Sequence, residues 1–572
     1  MQTNLLIDIK TDGITIKQAA KTANVSTATI RNWIKTGYLT VLENGLIAQD
    51  SLDNFMVNVA GKEKLNSRAN KLQKDEHNHT EITNKLEILF QNYNGEKIGI
   101  EYENSLSDSF RNKEGIYYTP SWIVSDMFKN IPVNSDTRFL DPCCGSGNFI
   151  IQAIKSGVSP ENIYGFDVDE NAVLITKQRI KDEFGFETKN IKVGDFLNEA
   201  HRLKQENTTF DLIFTNPPWG KKIEKSDKKK FADIYNCGSS FDTTSLFMGA
   251  SFSVLKQNGF LGLLIQEAFF NIATFGDIRN SVLSKQILRL VDYDKAFKGL
   301  ITKAQAVIVA NQKSNDDTII ECNFNNKNYN RTLYSFKKNP KNIFNFWTNE
   351  DESKVIDRLY SYNHITLQEK AKWALGIVTG NNNKYCKKTQ ENDTYIPIFK
   401  GSDITKNGLK EASNFIVNDF SNFQQVAPVE MYKAKEKLIY KFISSGLCFF
   451  YDDKQRFVLN SANILIPADI GISARQLADL LNSEVLNWLF KKLFSTHKVL
   501  RGDLELLPIH TEYFKVHKKF SEETYLEFLQ IERTENGRFR INTNSEKDKF
   551  SAKKRKYNHL NKRLLPLQEY GI

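Results

Sequence analysis

The chain holds only six cysteines in 572 residues, at positions 143, 144, 237, 322, 386 and 448, and no CxxC pair. That spacing excludes a disulfide framework and a tetrahedral zinc centre, so no metal is expected and a reduced, cytoplasmic setting is. With 12 prolines, 29 glycines and 40% hydrophobic residues, the chain is neither collagen-like nor disordered overall. No apolar run reaches the roughly 18–20 residues that span a bilayer; the most apolar stretch, Phe260 to Ile265, is strand-length. The N-terminus, MQTNLLIDIKTDG, lacks the basic flank and apolar core of a signal peptide, so no membrane partner is expected. No repeat at a period of about 20–50 residues is visible, which sets aside solenoids and propellers. A strong excess of one charge is missing too: 78 Lys+Arg against 68 Asp+Glu gives +10, so a polyanion partner has to be argued from where the charge clusters.

What the chain does have is length, enough for roughly three to four domains. Residues 13–39 contain a short helix pattern with Ile16, Ala19 and Ala20, a break at Asn24-Val25-Ser26, and a second helix from Thr27 to Lys35 for which Ser26 is the expected N-cap. The pattern resembles the MerR and excisionase-like helix-turn-helix, which implies DNA contact through the second helix, with Arg31 and Lys35 as its cations. The alternative is a helical hairpin that packs on a neighbour with Ile30 and Trp33 as core. Residues 61–95 are rich in charge and poor in apolar positions, which suits an exposed connecting helix or a linker, and His77 and His79 within it read as surface histidines.

From Arg138 to about Ala310 strand-like apolar runs alternate with helical patterns, the order of βα units in a doubly wound parallel sheet whose functional loops lie at the strands' carboxyl ends. Asp141-Pro142-Cys143-Cys144-Gly145-Ser146-Gly147-Asn148 places a Gly-x-Gly turn between a strand and a helix, where a ligand can approach the backbone. Cys143 and Cys144 read as small loop residues. The next strand ends in Asp167-Val168-Asp169, where Rossmann-like sheets hold ribose hydroxyls. There is neither GxGxxG nor GK[ST], so a nicotinamide cofactor and a phosphate loop are both disfavoured. A third strand, Asp211 to Thr215, ends in Asn216-Pro217-Pro218-Trp219. The two prolines fix φ and remove two donors, leaving the Asn216 amide and the Pro217 carbonyl as acceptors for an amino group and Trp219 as a face for a planar base.

These motifs, in this order between residues 115 and 309, resemble the TaqI-type (gamma-class) adenine-N6 DNA methyltransferases. The resemblance implies S-adenosylmethionine as cofactor and a flipped adenine in double-stranded DNA as substrate, with no metal. By it Tyr118, Thr119 and Pro120 belong to the segment over the methionine end, Asp141 binds the methionine amino group, Asp167 the ribose, and Asp195 with Phe196 the cofactor adenine. Phe275 would be the second aromatic for the flipped base, with Phe269 and Phe270 as neighbouring alternatives. Residues 373–385, 397–404 and onward to Ile509 resemble the same family's C-terminal target-recognition domain, in which Lys498 and Arg501 are the expected DNA contacts. Lys221 and Lys222 open a lysine run after Trp219 that suits phosphate contact or a solvated face, and the tail from Lys553 to Lys556 is either a backbone-binding arm or a disordered end.

The expected fold is therefore α/β: a Rossmann-like methyltransferase domain at 106–330, a connector at 331–365 and a mixed α+β recognition domain at 366–520. A helix-turn-helix at 1–55, a helical linker at 56–105 and a basic tail at 521–572 complete it. The expected function is modification in a type II restriction-modification system, as a monomer, with a cognate restriction endonuclease encoded alongside. No nuclease centre is read in the chain, Glu96, Lys97 and Glu101 being taken as surface. Asn-Pro-Pro-aromatic also serves RNA and protein-glutamine methyltransferases, which are one alternative; a non-catalytic DNA-binding regulator is the other.

Overall fold

A computed structural model describes residues 13–23, 27–35, 38–42, 44–58, 79–106, 117–220, 223–297, 300, 302–405, 408–494 and 498–542. The chain divides into two compact units, Met1–Gln266 with Tyr293–Gln312, and Glu267–Asp292 with Lys313–Ile572.

The first unit begins with β1 (Gly13–Ile14), α1 (Ile16–Thr22), α2 (Thr27–Lys35), β2 (Ile47–Ala48) and α3 (Gln49–Asn58). Thr15 opens α1 with a capping box closed by Gln18, and β1 pairs antiparallel with β2. Ile30 and Trp33 point inward with Ala19, Leu52 and Phe55, the Trp33 and Phe55 rings 4.6 Å apart. Arg31 is exposed. Ser26, the expected N-cap of α2, lies outside the described residues, as does His77. Helices α4 (His79–Asn92) and α5 (Glu96–Ser105) follow and bury Leu86, Ile98, Tyr102 and Leu106 together with Ile175.

The large sheet of this unit uses β3 (Phe139–Asp141), β4 (Ile163–Asp167), β5 (Ile191–Val193), β6 (Phe210–Thr215), β7 (Leu255–Gln266) and, after β8 (Gln286–Asp292) of the second unit, β9 (Ala304–Ala310). Their order is β9-β7-β6-β3-β4-β5. Strands β3, β6, β7 and β9 are apolar along most of their length because both sheet faces are covered. The expected parallel sheet holds for β3 to β7, whereas β9 pairs antiparallel with β7 from Phe260↔Ala310 to Gln266↔Ala304. The sheet is thus mixed: an apolar run announces a buried strand and carries no information on its direction.

In the second unit β8 runs parallel to β10 (Ile319–Phe324), which forms a hairpin with β11 (Lys327–Thr332). β8 was not expected from the sequence, because Arg289 breaks its apolar run. Beyond residue 370 lie two four-stranded sheets. One is antiparallel, ordered Ala371–Leu375, Ala462–Pro467, Lys437–Lys441, Phe449–Asp452; the other is ordered Cys386–Lys387, Phe415–Val417, Tyr395–Phe399, Phe457–Val458. The apolar stretch that includes Leu477 to Phe490 forms two helices, Ala474–Leu481 and Glu484–Phe494, the second beginning after Asn482-Ser483. Among the described residues no helix is long and apolar enough to cross a membrane.

Candidate functional site

Strands β3, β4 and β6 end side by side, so their carboxyl-end loops meet. After β3 the chain turns through Gly145 and Gly147, at φ 50° and 85°, a backbone region that L side chains rarely adopt. A Cβ on Gly145 would lie 2.8 Å from the Tyr118 ring, so the loop and the 117–120 segment are in close contact. The loop is held from both sides. Gly145 N–H donates to Asp167 Oδ2 at 2.8 Å, while the Gly145 and Ser146 carbonyls accept from Thr176 Oγ1 at 2.8 Å and Arg179 Nη1 at 2.5 Å. Arg179 also donates to Asn148 Oδ1 at 2.7 Å, and Asn148 Nδ2 in turn donates to the Thr119 carbonyl at 2.7 Å. Asn148 therefore joins the loop to the segment over it.

Asp141 is fully buried. Its Oδ1 accepts from Cys143 N–H at 3.2 Å, and its Oδ2 has no partner. Burial pushes its carboxyl up to about 7, against the neighbouring Thr215 hydroxyl and the Cys143 N–H, which favour the charged form. An orphaned carboxylate oxygen in this place calls for a cationic donor, which the methionine ammonium of S-adenosylmethionine provides. Asp167 is half-buried at the end of β4 and its Oδ1 accepts from Asp169 N–H at 3.0 Å, which puts an acid at the strand end where a ribose hydroxyl would be held. Val168 and Val193 are exposed at the ends of paired strands, an apolar surface suited to one face of an adenine. Asp195 N-caps the helix Phe196–Gln205 by accepting from Leu197 N–H at 2.9 Å. Phe196 is 1% exposed, its ring packed on Phe166 and Phe247. Pro142 is buried and Pro120 half-buried in these same two segments. The residues present thus fit the cofactor, with an acceptor for its ammonium, an acid for its ribose and an apolar wall.

At the end of β6, Asn216 Nδ2 donates to the Tyr117 carbonyl at 2.9 Å, which fixes which way the amide faces. Its Oδ1 is buried and has no partner. Pro217 is buried and Pro218 half-buried. Trp219 Nε1 donates to the Leu264 carbonyl at 3.4 Å, and its ring meets Phe297 edge-on at 5.2 Å; Phe297 also packs on Tyr117 at 5.8 Å. Thr176, Arg179 and Phe297 carried no signal in the sequence, whereas Tyr117 and Thr215 belong to the segments singled out there. Thr215 stands next to the Asn-Pro-Pro motif and was legible there, whereas Phe297 lies in a stretch with no periodicity.

Phe275 belongs to the second unit, where it is 4% exposed and packs edge-on against Phe269 at 5.8 Å. There Arg279 holds the preceding turn, donating to the carbonyls of Phe269, Ile272 and Lys341. Lys498 is exposed with its Nζ 5.8 Å from the centre of the Phe442 ring, and Arg501 is exposed, paired with Glu505 at 2.7 Å and lying over Trp373. Lys221, Lys222 and the 553–556 tail lie outside the described residues, and Lys35 closes α2.

Residues 94–392 match the family described as N-6 DNA Methylase, and residues 396–509 the TaqI-like C-terminal specificity domain. The chain is similar to the type II methyltransferase M.VspI of Vibrio sp. (strain 343), 43% identical over 400 residues that make up 69% of this chain and 97% of that one. It is also similar to the modification methylase CviBIII of Paramecium bursaria Chlorella virus NC1A, 23% identical over 222 residues, 38% of this chain and 54% of that one. A solved DrdV–DNA complex has a TM-score of 0.48 at 12% identity, covering 79% of this chain and 62% of that one, too weak a likeness to carry an argument. The RNA, protein and regulator alternatives give way to the family match. The chain belongs to the N-6 DNA methylase family: it is an adenine-N6 DNA methyltransferase that uses S-adenosylmethionine and carries a TaqI-like C-terminal specificity domain.

Proposed function

We propose that the chain modifies one specific sequence of double-stranded DNA within a type II restriction-modification system, methylating the N6 of an adenine flipped out of the duplex. The observation that carries this reading is the Asn216 amide, its nitrogen fixed on the Tyr117 carbonyl and its oxygen buried without a partner. Adenine N6 is a poor nucleophile because its lone pair is delocalised into the ring. Two acceptors, Asn216 Oδ1 and the Pro217 carbonyl, take its two hydrogens and draw the nitrogen toward tetrahedral geometry, which matters most as the new bond forms. S-adenosylmethionine, when bound, supplies the electrophilic methyl. Asp141 anchors its ammonium and Asp167 its ribose, with Val168 and the Asp195-Phe196 turn beside its base; Tyr118, Thr119, Pro120, Pro142, Cys143, Gly145, Gly147 and Asn148 form the surrounding walls. Trp219 stacks on the flipped base. Phe297, the ring packed against Trp219, is the better second face than Phe275; flipping the base costs a few kcal/mol that stacking on the two rings offsets.

The partners follow from the same reading. Duplex DNA is gripped by the specificity domain, with Lys498 and Arg501, and by Lys221 and Lys222 beside the catalytic loop; Arg31 and Lys35 give the N-terminal helices a separate DNA contact of helix-turn-helix type. The enzyme acts as a monomer in the cytoplasm, alongside a cognate endonuclease. The methyltransferase domain proposed is 106–330 and the specificity domain 366–520. The test is labelled S-adenosylmethionine with mixed-sequence duplex DNA, followed by digestion to nucleosides. N6-methyladenine confined to one sequence context, and lost in Asn216→Ala, supports the reading. Methylation without sequence preference overturns it.

A further inference from the structure

The sequence reading made residues 56–105 a linker, yet α5 (Glu96–Ser105) lies directly on the loops that hold the cofactor. We propose that α5 is part of the cofactor site, and that Tyr102 and Glu103 are positioning residues that set the ribose acid and the 117–120 segment in register. This rests on the cofactor reading given above.

One face of the helix makes every contact. A Cβ on Gly99 would lie 2.4 Å from the Ser146 side chain, so the helix backbone touches the Gly-x-Gly loop at a position where glycine alone fits without a shift. One turn on, Tyr102 is 3% exposed and its hydroxyl donates to Asp169 Oδ2 at 2.7 Å. The other oxygen of Asp169 caps the helix Glu170–Phe184 by accepting from Asn171 N–H at 3.0 Å. Both oxygens of Asp169 are thus engaged in structure, which ties α5 to the start of the helix Glu170–Phe184. Asp167 is itself tied to this group, since its Oδ1 accepts from Asp169 N–H and its Oδ2 from Gly145 N–H. A movement of Tyr102 is therefore passed through Asp169 to Asp167 and the loop. On the same turn Glu103 Oε2 accepts from Tyr118 N–H at 3.2 Å, and the Tyr102 and Tyr118 rings stack at 6.4 Å. Two turns earlier Glu96 Oε1 accepts from Ser121 N–H at 3.0 Å. Burial and the adjacent Asp169 charge hold the Tyr102 phenol protonated, so it remains a donor at every pH at which the protein works.

The experiment uses the full chain and S-adenosylhomocysteine as the calorimetric probe. Tyr102→Phe and Glu103→Ala are expected to weaken probe binding about tenfold each, the scale of a lost hydrogen bond to a charged group. Glu103→Gln, which keeps an acceptor for Tyr118 N–H, is expected to restore it. DNA affinity, melting temperature and kcat at saturating cofactor stay at wild-type values, while the cofactor KM rises. Unchanged probe binding in both Tyr102→Phe and Glu103→Ala overturns the proposal, as does a loss that arrives together with lowered DNA affinity and melting temperature. Asp167→Asn separates the two readings. If it binds the probe normally, the cofactor-site reading itself fails; if it alone loses binding, only the role of α5 fails.

Discussion

The Asn216 amide and the Asp141 carboxylate each keep one buried oxygen with no hydrogen-bond partner, and an unsatisfied buried acceptor costs roughly 1–3 kcal/mol until something donates to it. Both are thus poised for ligands. Asn216→Ala should lower kcat by about 10²–10³ with cofactor and DNA affinities unchanged, the scale on which removal of one preorganised polar group acts; single-turnover methyl transfer measures it. Asp141 makes a pH prediction. Its folded pKa, pushed up to about 7 by burial, stands above the unfolded value, so the folded apo chain holds a proton that the unfolded chain has released between roughly pH 4 and 7. Apo stability from this group is full below pH 4 and is lost as pH rises through 7. An ammonium needs the charged form, so cofactor affinity should fall about tenfold for each pH unit below 7 and level off above it. In Asp141→Asn calorimetry should find weak binding with no such slope.

Among the elements, the stretch after β11 is organised around one side chain that motif reading passes over. Arg331 is fully buried and donates to Ser335 Oγ at 3.0 Å, to the Thr348 carbonyl and hydroxyl at 2.8 and 2.6 Å, and to Ser353 Oγ at 3.1 Å, with Glu350 at 3.6 Å. It fastens β11 to the helix Glu350–Ser361, whose own start is fixed by the Asn349–Glu352 capping box. Arg331→Met should destabilise the second unit by about 3 kcal/mol, because it strands several buried acceptors and an acid at once. Urea unfolding followed by Trp fluorescence measures it, and a change below about 1 kcal/mol would exclude the role. The Lys437–Asp452–Arg456 cluster does similar work in the specificity domain, at 2.5 and 2.6 Å, and joins two neighbouring strands that the apolar pattern already pairs.

For the whole molecule, one contributor to acid stability is a buried histidine. His510 is fully buried; its Nε2–H donates to the Leu359 carbonyl at 2.8 Å, so Nδ1 accepts from the Tyr525 hydroxyl at 2.6 Å and the ring is neutral. Burial lowers its pKa to about 4. The unfolded chain binds the proton first as pH falls below about 6.5, so stability declines between pH 6.5 and 4 by about 3 kcal/mol from this group. Unfolding curves for wild type and His510→Gln should converge at pH 4. At the same scale, M.VspI is covered to 97% of its length by only 69% of this chain, and the family match begins at residue 94. Deletion of residues 1–58 should therefore leave the methylated sequence unchanged, with any loss confined to affinity for DNA; mapping N6-methyladenine in DNA treated with each form checks this.

The sequence by itself determined the chemistry, because that chemistry is local: a Gly-x-Gly turn, an acid at the end of a strand and Asn-Pro-Pro-Trp are each set by neighbouring residues whose backbone restrictions act over a few positions. It also carried the extent of α2 and the alternation of β3 to β7, since burial on both sheet faces demands continuous apolar runs. Tertiary structure alone decided the rest. The direction of β9, the strand β8 with Arg289 within its apolar run, the meeting of Phe297 with Trp219 and the contact of α5 with the cofactor loops all join residues tens of positions apart. Pairing at that separation depends on which surfaces the folded chain brings together, and no local pattern encodes it.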